Sequence, residues 1–248
     1  MTDILLINPN TTASITDLVL KTAQRFARPD TKLRALTGSF GPRYIASRAA
    51  YAIAGHAALD ALANDKGPKD AVVLACFGDP GLAALKEVSP VPVVGMADAS
   101  ILQACAMGNR FSIVTGGERW KSMLEEFVAS HGLTSRLASV RTVAPTGADI
   151  ARNPKAAMAL LAEGCTACVR EDGADVVILG GAGLAGLADK LKKMVDAPLL
   201  DGVACAISMA EGLAQQKPVK ATSGALARPA PVPVPSINLS KGLAKLLG

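Results

Sequence analysis

Aromatic side chains are rare in this chain, 3% of 248 residues. It therefore has few flat rings on which unpaired bases stack, which argues against a nucleic-acid partner. Histidine is scarcer still. His56 and His131 are the only two, one in a helix interior and one at a helix end, so a histidine triad or metal centre has little to draw on. No block of five or more like charges occurs, and the net charge of +5 is spread along the chain without a polyanion-binding patch. No apolar run approaches the length that spans a bilayer, so no membrane partner is expected. The first residues carry no basic leader ahead of an apolar stretch and a small-residue cleavage site; they read as a strand, and the chain as cytoplasmic. Its five cysteines are an odd number, which fits free thiols in a reducing compartment better than a disulfide framework. Cys165 and Cys168 have the Cys-x-x-Cys spacing but no second cysteine pair or histidine cluster to complete a tetrahedral site. They fall in an Ala-rich helical stretch where i and i+3 share a face, so neither a metal nor a redox centre is expected there.

What the chain does have is apolar substance, 50% of its residues, in a regular rhythm. Short Val/Ile/Leu runs alternate with Ala/Leu-rich amphipathic segments, the pattern of an α/β protein built around parallel sheets. Strands are expected at 4–8, 32–37, 71–75, 91–95, 111–115, 139–143, 176–180 and 198–201. Runs such as Val72-Val73-Leu74 and Val176-Val177-Ile178-Leu179 lack in/out alternation, so helices are expected on both faces. Those helices are placed at 12–28, 51–65, 80–87, 99–107, 119–131, 154–172, 184–195 and 203–215. Thr11 or Thr12 is suited to cap the first, Asn153 with Pro154 opens another, and Gly132 and Gly173 stand where left-handed C-caps belong.

The eight strands read as a duplication. Cys76 and Gly181 are 105 positions apart, Pro92 and Pro198 106, and Asn8 and Thr115 107. Two pseudo-symmetric lobes follow, each with a four-stranded parallel sheet flanked by helices: residues 1–97, completed by about 204–248, and residues 98–203. Ligands of open parallel sheets bind beyond the strands' carboxyl ends, which puts a ligand cleft between the lobes. It would be lined by Asn8-Pro9-Asn10-Thr11, Cys76-Phe77-Gly78-Asp79, Thr115-Gly116-Gly117 and Gly181-Ala182-Gly183.

Cys76 ends a strand, precedes glycines that admit a ligand, and lies near a helix N-terminus whose dipole lowers a thiol pKa; it is either a reactive thiol or a small core residue. Asn8 to Thr11 offers side chains and N–H groups to a carboxylate or amide, or is a plain cap. The loop Gly41-Pro42-Arg43-Tyr44-Ile45 is placed over the cleft, where Arg43 or Tyr44 can meet a ligand. Gly180 to Gly183 lacks the full Gly-x-Gly-x-x-Gly spacing and its later acidic partner, so a dinucleotide is not expected. Residues 227–235, rich in proline, read as an extended strap, an oligomer contact or a tail.

Ile7-Asn8-Pro9-Asn10-Thr11, the Gly41-Pro42 loop, the strand-Cys-x-Gly turn, Val114-Thr115, the strand-Gly-x-Ala-Gly turn and Leu200-Asp201-Gly202 together resemble the aspartate/glutamate/hydantoin racemase superfamily. The nearest branch is the hydantoin and allantoin racemases. The resemblance covers nearly the whole chain and implies a homo-oligomeric isomerase without a cofactor. It acts on a small hydantoin, allantoin or related amino-acid derivative held between two cysteines. One thiolate removes the α-proton and the other thiol returns a proton to the opposite face. Cys76 matches the first; the position of the second is Gly181. The expected substrate contacts are Asn8, Pro9, Asn10, Thr11, Gly41, Pro42, Tyr44, Ile45, Phe77, Gly78, Thr115, Gly116, Ala182 and Gly183. Gly116 also replaces a threonine usual in the family. A vacant second position leaves three readings open: slow racemisation with water as the second proton carrier, a single-cysteine decarboxylase or isomerase on a small carboxylate, and a catalytically impaired small-molecule binding protein. The superfamily's arylmalonate decarboxylases use one cysteine in this way, though in the other lobe.

Overall fold

The structure is a computed structural model that describes residues 1–143, 153–224, 227 and 236–247. The proline-rich stretch at 228–235 lies outside the described residues. Eight strands form two four-stranded sheets, every pairing parallel. The first has the order β2-β1-β3-β4, with β1 Thr2–Asn8, β2 Thr31–Thr37, β3 Ala71–Leu74 and β4 Val93–Gly95. The second repeats it as β6-β5-β7-β8, with β5 Phe111–Gly116, β6 Leu137–Val143, β7 Val176–Gly180 and β8 Leu199–Asp201.

The helices among the described residues are α1 Ala13–Phe26, α2 Arg48–Asn64, α3 Leu82–Val88, α4 Met96–Met107, α5 Trp120–Ser130, α6 Pro154–Arg170, α7 Ala188–Leu191, α8 Gly202–Gln215 and α9 Lys241–Leu247. None is long and apolar enough to cross a membrane. The apolar runs are buried on both faces because successive strand residues enter different cores. Leu5, Ile7, Val72 and Leu74 pack beneath α2 and α3. Ile4, Leu6, Ala71 and Val73 join Phe111, Ile113, Val176 and Ile178 in one core shared by the two sheets. Val114, Val177 and Leu179 face Leu161, Cys165, Cys168 and Leu191 of α6 and α7. Cys165 and Cys168 are therefore core residues, with burial raising both thiol pKa values.

The shared core is closed by an exchange. Helix α4, which leaves the first sheet, packs on β5, β7 and β8; helix α8, which leaves the second, packs on β1, β3 and β4; and the two pack on each other. That exchange brings the carboxyl ends of the two sheets together.

Some helix boundaries follow local chemistry. The Ser47 hydroxyl accepts the Ala50 N–H at 3.2 Å and the Asn153 side chain accepts that of Ala156 at 3.2 Å, while Gly132 and Gly173 both adopt φ 69°. Two expectations fail. The Thr12 side chain does not cap α1; its hydroxyl donates to the Arg43 carbonyl at 2.7 Å, tying the helix start to the 41–45 loop. The helix expected over 184–195 is only a 3-10 turn at Ala182–Leu184 and the four-residue α7. Gly186 sits at φ +79° between them, its N–H drawn to the Asp201 carboxylate at 2.6 Å, and the helix cannot run through.

Candidate active site

Cys76 stands two residues beyond β3. The Ala75 N–H still pairs with the Ile7 carbonyl (2.8 Å), and the chain then turns so that the Asp79 N–H returns to the Cys76 carbonyl (3.0 Å). Gly78 at φ +107° and Asp79 at φ +54° make the reversal. Gly78 is also the point of closest packing: a Cβ there would lie 2.6 Å from the Trp120 ring. Trp120, at the start of α5, donates its indole N–H to the Ile45 carbonyl at 3.0 Å, and Tyr51 of α2 donates its hydroxyl to the Gly78 carbonyl at 2.7 Å. The Cys76 turn is thus clamped from the second half of the chain by an indole and from the first by a phenol. Burial lifts the Tyr51 pKa to about 12, helped by the charges of Asp79 and Cys76.

Phe77 points from this turn to the opposite sheet. Its ring fills the space where a Cβ on Gly180 would be, 2.6 Å from Cε1, and touches the position of a Cβ on Gly202. The turns after β3 and β7 therefore meet through one phenyl ring. Beyond it lies Gly181, at φ +129° and ψ 131°, a conformation suited to glycine. A Cβ built there would find Thr115 Oγ1 at 3.7 Å and Leu184 Cγ at 3.9 Å, ordinary contacts.

Cys76 itself is 8% exposed. Burial pushes its thiol pKa well above the ordinary value, and the charge of Asp79 adds to the rise. The expected lowering by a helix dipole is not found, because α3 begins only at Leu82 and has just seven residues. A pocket of about 290 Å³ lies beside Trp120, lined also by Ala46, Gly117, Glu118 and Arg119. A larger groove of about 500 Å³ between α2 and α9 is mostly apolar, with Tyr51 and His56 among its lining residues.

This geometry can be set beside known proteins. The sequence profile of Asp/Glu/hydantoin racemases matches residues 4–210. The chain belongs to that family. A hydantoin racemase of Pseudomonas sp. is 37% identical over 206 residues, 83% of each chain, and one of Paenarthrobacter aurescens is 36% identical over 212 residues, 85% of this chain and 90% of its own. The crystal structure of allantoin racemase from Pseudomonas fluorescens superposes with a TM-score of 0.90 at 32% identity, covering 94% of this chain and 100% of its own. The two-sheet architecture is that of the racemase family.

Within this family frame the sequence-predicted residues take different places. Asn8 is consumed internally: its amide nitrogen donates to Asn10 Oδ1 and Thr16 Oγ1, both at 3.0 Å, and its oxygen accepts the Asn10 N–H at 3.2 Å. It shapes the turn. Pro9 is buried, and its carbonyl lies 3.0 Å from where a Gly38 Cβ would be. Asn10 Oδ1 accepts the Thr12 N–H at 2.8 Å, while its amide nitrogen has no hydrogen-bond partner among the described residues. Thr11 binds the Pro42 carbonyl through its N–H (3.2 Å), and its hydroxyl is free in the same sense. Thr115, 4% exposed at the end of β5, likewise has an unpartnered hydroxyl, which faces Gly181. Gly116 closes β5 against Val143. Gly41 takes φ +106°; Tyr44 is exposed, with Oη 3.3 Å from a Cβ built on Gly117; and Ile45 is buried. Ala182 and Gly183 form the 3-10 turn after Gly181, with open space around Gly183. Sequence reasoning missed Tyr51 and Trp120. A lone tryptophan at a helix start was the available signal for one of them; for Tyr51 there was none.

Proposed function

We propose that the chain is a cofactor-independent racemase or isomerase of the hydantoin or allantoin type, which moves a proton at a carbon alpha to a carbonyl through Cys76. One observation carries this reading: of the five cysteines, Cys76 alone lies at a strand's carboxyl end, on a turn pressed through Phe77 against the turn that holds Gly181. Its relatives named as hydantoin and allantoin racemases support the substrate class. The substrate would lie in a cleft between a lobe of residues 1–97, completed by about 204–248, and a lobe of residues 98–203. A homo-oligomer belongs to the same proposal.

In this scheme the Cys76 thiolate removes the α-proton and the electron pair delocalises onto the carbonyl oxygen. The Asn10 amide and the Thr11 and Thr115 hydroxyls are donors without another partner, free to hold that oxygen. Because burial raises the thiol pKa, the thiolate is scarce at neutral pH but strongly basic once formed, so turnover rises with pH. Return of the proton by Cys76 restores the starting enantiomer. Inversion needs a proton from the other face, where Gly181 has no side chain to give one. Water beside Thr115 is the remaining carrier. Gly181 also favours a second reading, a one-thiol decarboxylase or isomerase on a small carboxylate, in which carbon dioxide loss makes the carbanion and Cys76 only protonates it.

Each enantiomer of a 5-substituted hydantoin, and of allantoin, incubated in deuterated water tests this. Deuterium is expected at the α-carbon with configuration mostly retained, faster at about pH 9 than at about pH 7. Binding without any uptake overturns proton transfer and leaves a small-molecule binding protein. Carbon dioxide release from a substituted malonate with no exchange on hydantoins favours the one-thiol decarboxylase.

A further inference from the structure

Asp79 is the most unusual residue near the thiol. It is 2% exposed, it adopts φ +54° without being glycine, and its carboxylate caps a helix that it does not precede. Oδ1 accepts the Ala97 N–H at 3.1 Å and Oδ2 the Asp98 N–H at 2.7 Å, both in the first turn of α4.

The second half of the chain does the same thing differently. There the carboxylate belongs to Asp201, at the end of β8, which accepts from Val203 (2.9 Å) and Ala204 (3.3 Å) in the first turn of α8. The residue 106 positions before Asp201 is Gly95, and those before Val203 and Ala204 are Ala97 and Asp98. A Cβ on Gly95 would lie 2.1 Å from Asp79 Oδ2. The two halves therefore put a carboxylate in the same place, one from the strand that leads into the helix and the other from the turn that carries Cys76. Gly95 has to be a glycine because Asp79 occupies its side-chain space.

We propose that Asp79 is the positioning residue of the Cys76 thiol: its carboxylate fastens the Cys76–Asp79 turn to α4 and sets a buried acid beside the sulfur. This rests on the reading of Cys76 as the proton carrier. The groups around the carboxylate are Cys76, Tyr51 of α2, Lys86 of α3 and Asp98 of α4; Asp98 also meets Lys86 at 2.7 Å and His131 of α5 at 3.3 Å. Burial lifts Asp79 to about 7, against the two N–H groups that favour its charged form. Its ionised form disfavours the Cys76 thiolate, so Asp79 sets how scarce and how basic that thiolate is.

The full chain is alkylated with iodoacetamide across a pH series, and labelling at Cys76 is read by mass spectrometry. Asp79→Asn keeps the residue's tolerance of left-handed backbone and one acceptor for α4. The pH of half-maximal Cys76 labelling is expected to fall by on the order of one unit in this variant, while that of Cys205 is unchanged. An unchanged Cys76 profile in the folded variant overturns the proposal. A second comparison, Asp79→Gly alone against Asp79→Gly with Gly95→Asp, moves the carboxylate to the position used in the other half. The double variant should regain melting temperature and the wild-type Cys76 profile; no regain of either overturns the equivalence of the two carboxylates. Labelling reports the thiol whether or not it carries a proton in catalysis. Failure of the catalytic reading would show separately, as deuterium exchange undiminished by loss of Cys76.

Discussion

Gly181→Cys raises the rate of racemisation, relative to deuterium exchange with retention, by roughly 10²- to 10⁴-fold, the range that a placed general acid or base contributes. That is worth about 3–5 kcal/mol of barrier, at 1.36 kcal/mol for each factor of ten. Room is not the obstacle, since the nearest atoms to the new Cβ are at 3.7 and 3.9 Å. The obstacle is the backbone: φ +129° strains any L side chain, at a cost on the order of 1–3 kcal/mol. The strain weakens the fold or shifts the turn, whereas the thiol acts on the barrier, so the kinetic gain should survive a lower melting temperature. Chiral chromatography of both enantiomers, run beside calorimetry, checks the two together. A variant that is folded and no faster would show that the missing thiol is not the defect and that the hydantoin substrate class is wrong for this chain.

Removing the other end of the proposed pair has the opposite effect. Cys76→Ala should lower α-deuterium exchange by at least about 10²-fold, because no other cysteine lies on this turn and the neighbouring Asp79 carboxylate is tied to the Ala97 and Asp98 N–H groups. Cys76→Ser should be nearly as slow, since a hydroxyl ionises at far higher pH than a thiol. The fold should tolerate both, with the loss of one small buried atom costing on the order of 1 kcal/mol. A pH readout separates the site from the scaffold. A thiol with a folded pKa above its unfolded value of 9.0 contributes stability that is present below pH 9.0 and is lost as pH climbs towards the folded value. Cys165 and Cys205, both near 12, do the same. Cys76→Ala should therefore flatten the alkaline fall in stability only in part, while removing the alkaline rise in exchange.

The sheets were legible in the sequence because parallel strands buried on both faces write themselves as unbroken runs, as at Val72-Val73-Leu74 and Val176 to Leu179. The duplication was legible because three landmarks kept nearly the same offset. The helix expected at 184–195 failed for a long-range reason: the Asp201 carboxylate captures the Gly186 N–H from another element, and local composition does not record it. The ionisation of Cys76 was misread for a similar reason. Sequence proximity suggested a helix dipole, whereas the first cause of the shift is burial, which depends on how remote parts of the chain pack around the turn. Asp79 stood in view within the turn, but its role depends on Gly95 and α4, which only the folded chain brings against it.

Trp120 is the chain's single tryptophan, and its position makes the molecule its own spectroscopic reporter. The indole lies against Gly78, two residues from the thiol, with its N–H held by the Ile45 carbonyl and its flank on the 290 Å³ pocket. Emission excited at the indole band therefore comes from one place, and that place is the Cys76 turn. Occupancy of the pocket, alkylation of Cys76 and movement of the 41–45 loop each change the surroundings of the same fluorophore, so they can be titrated in solution without a label.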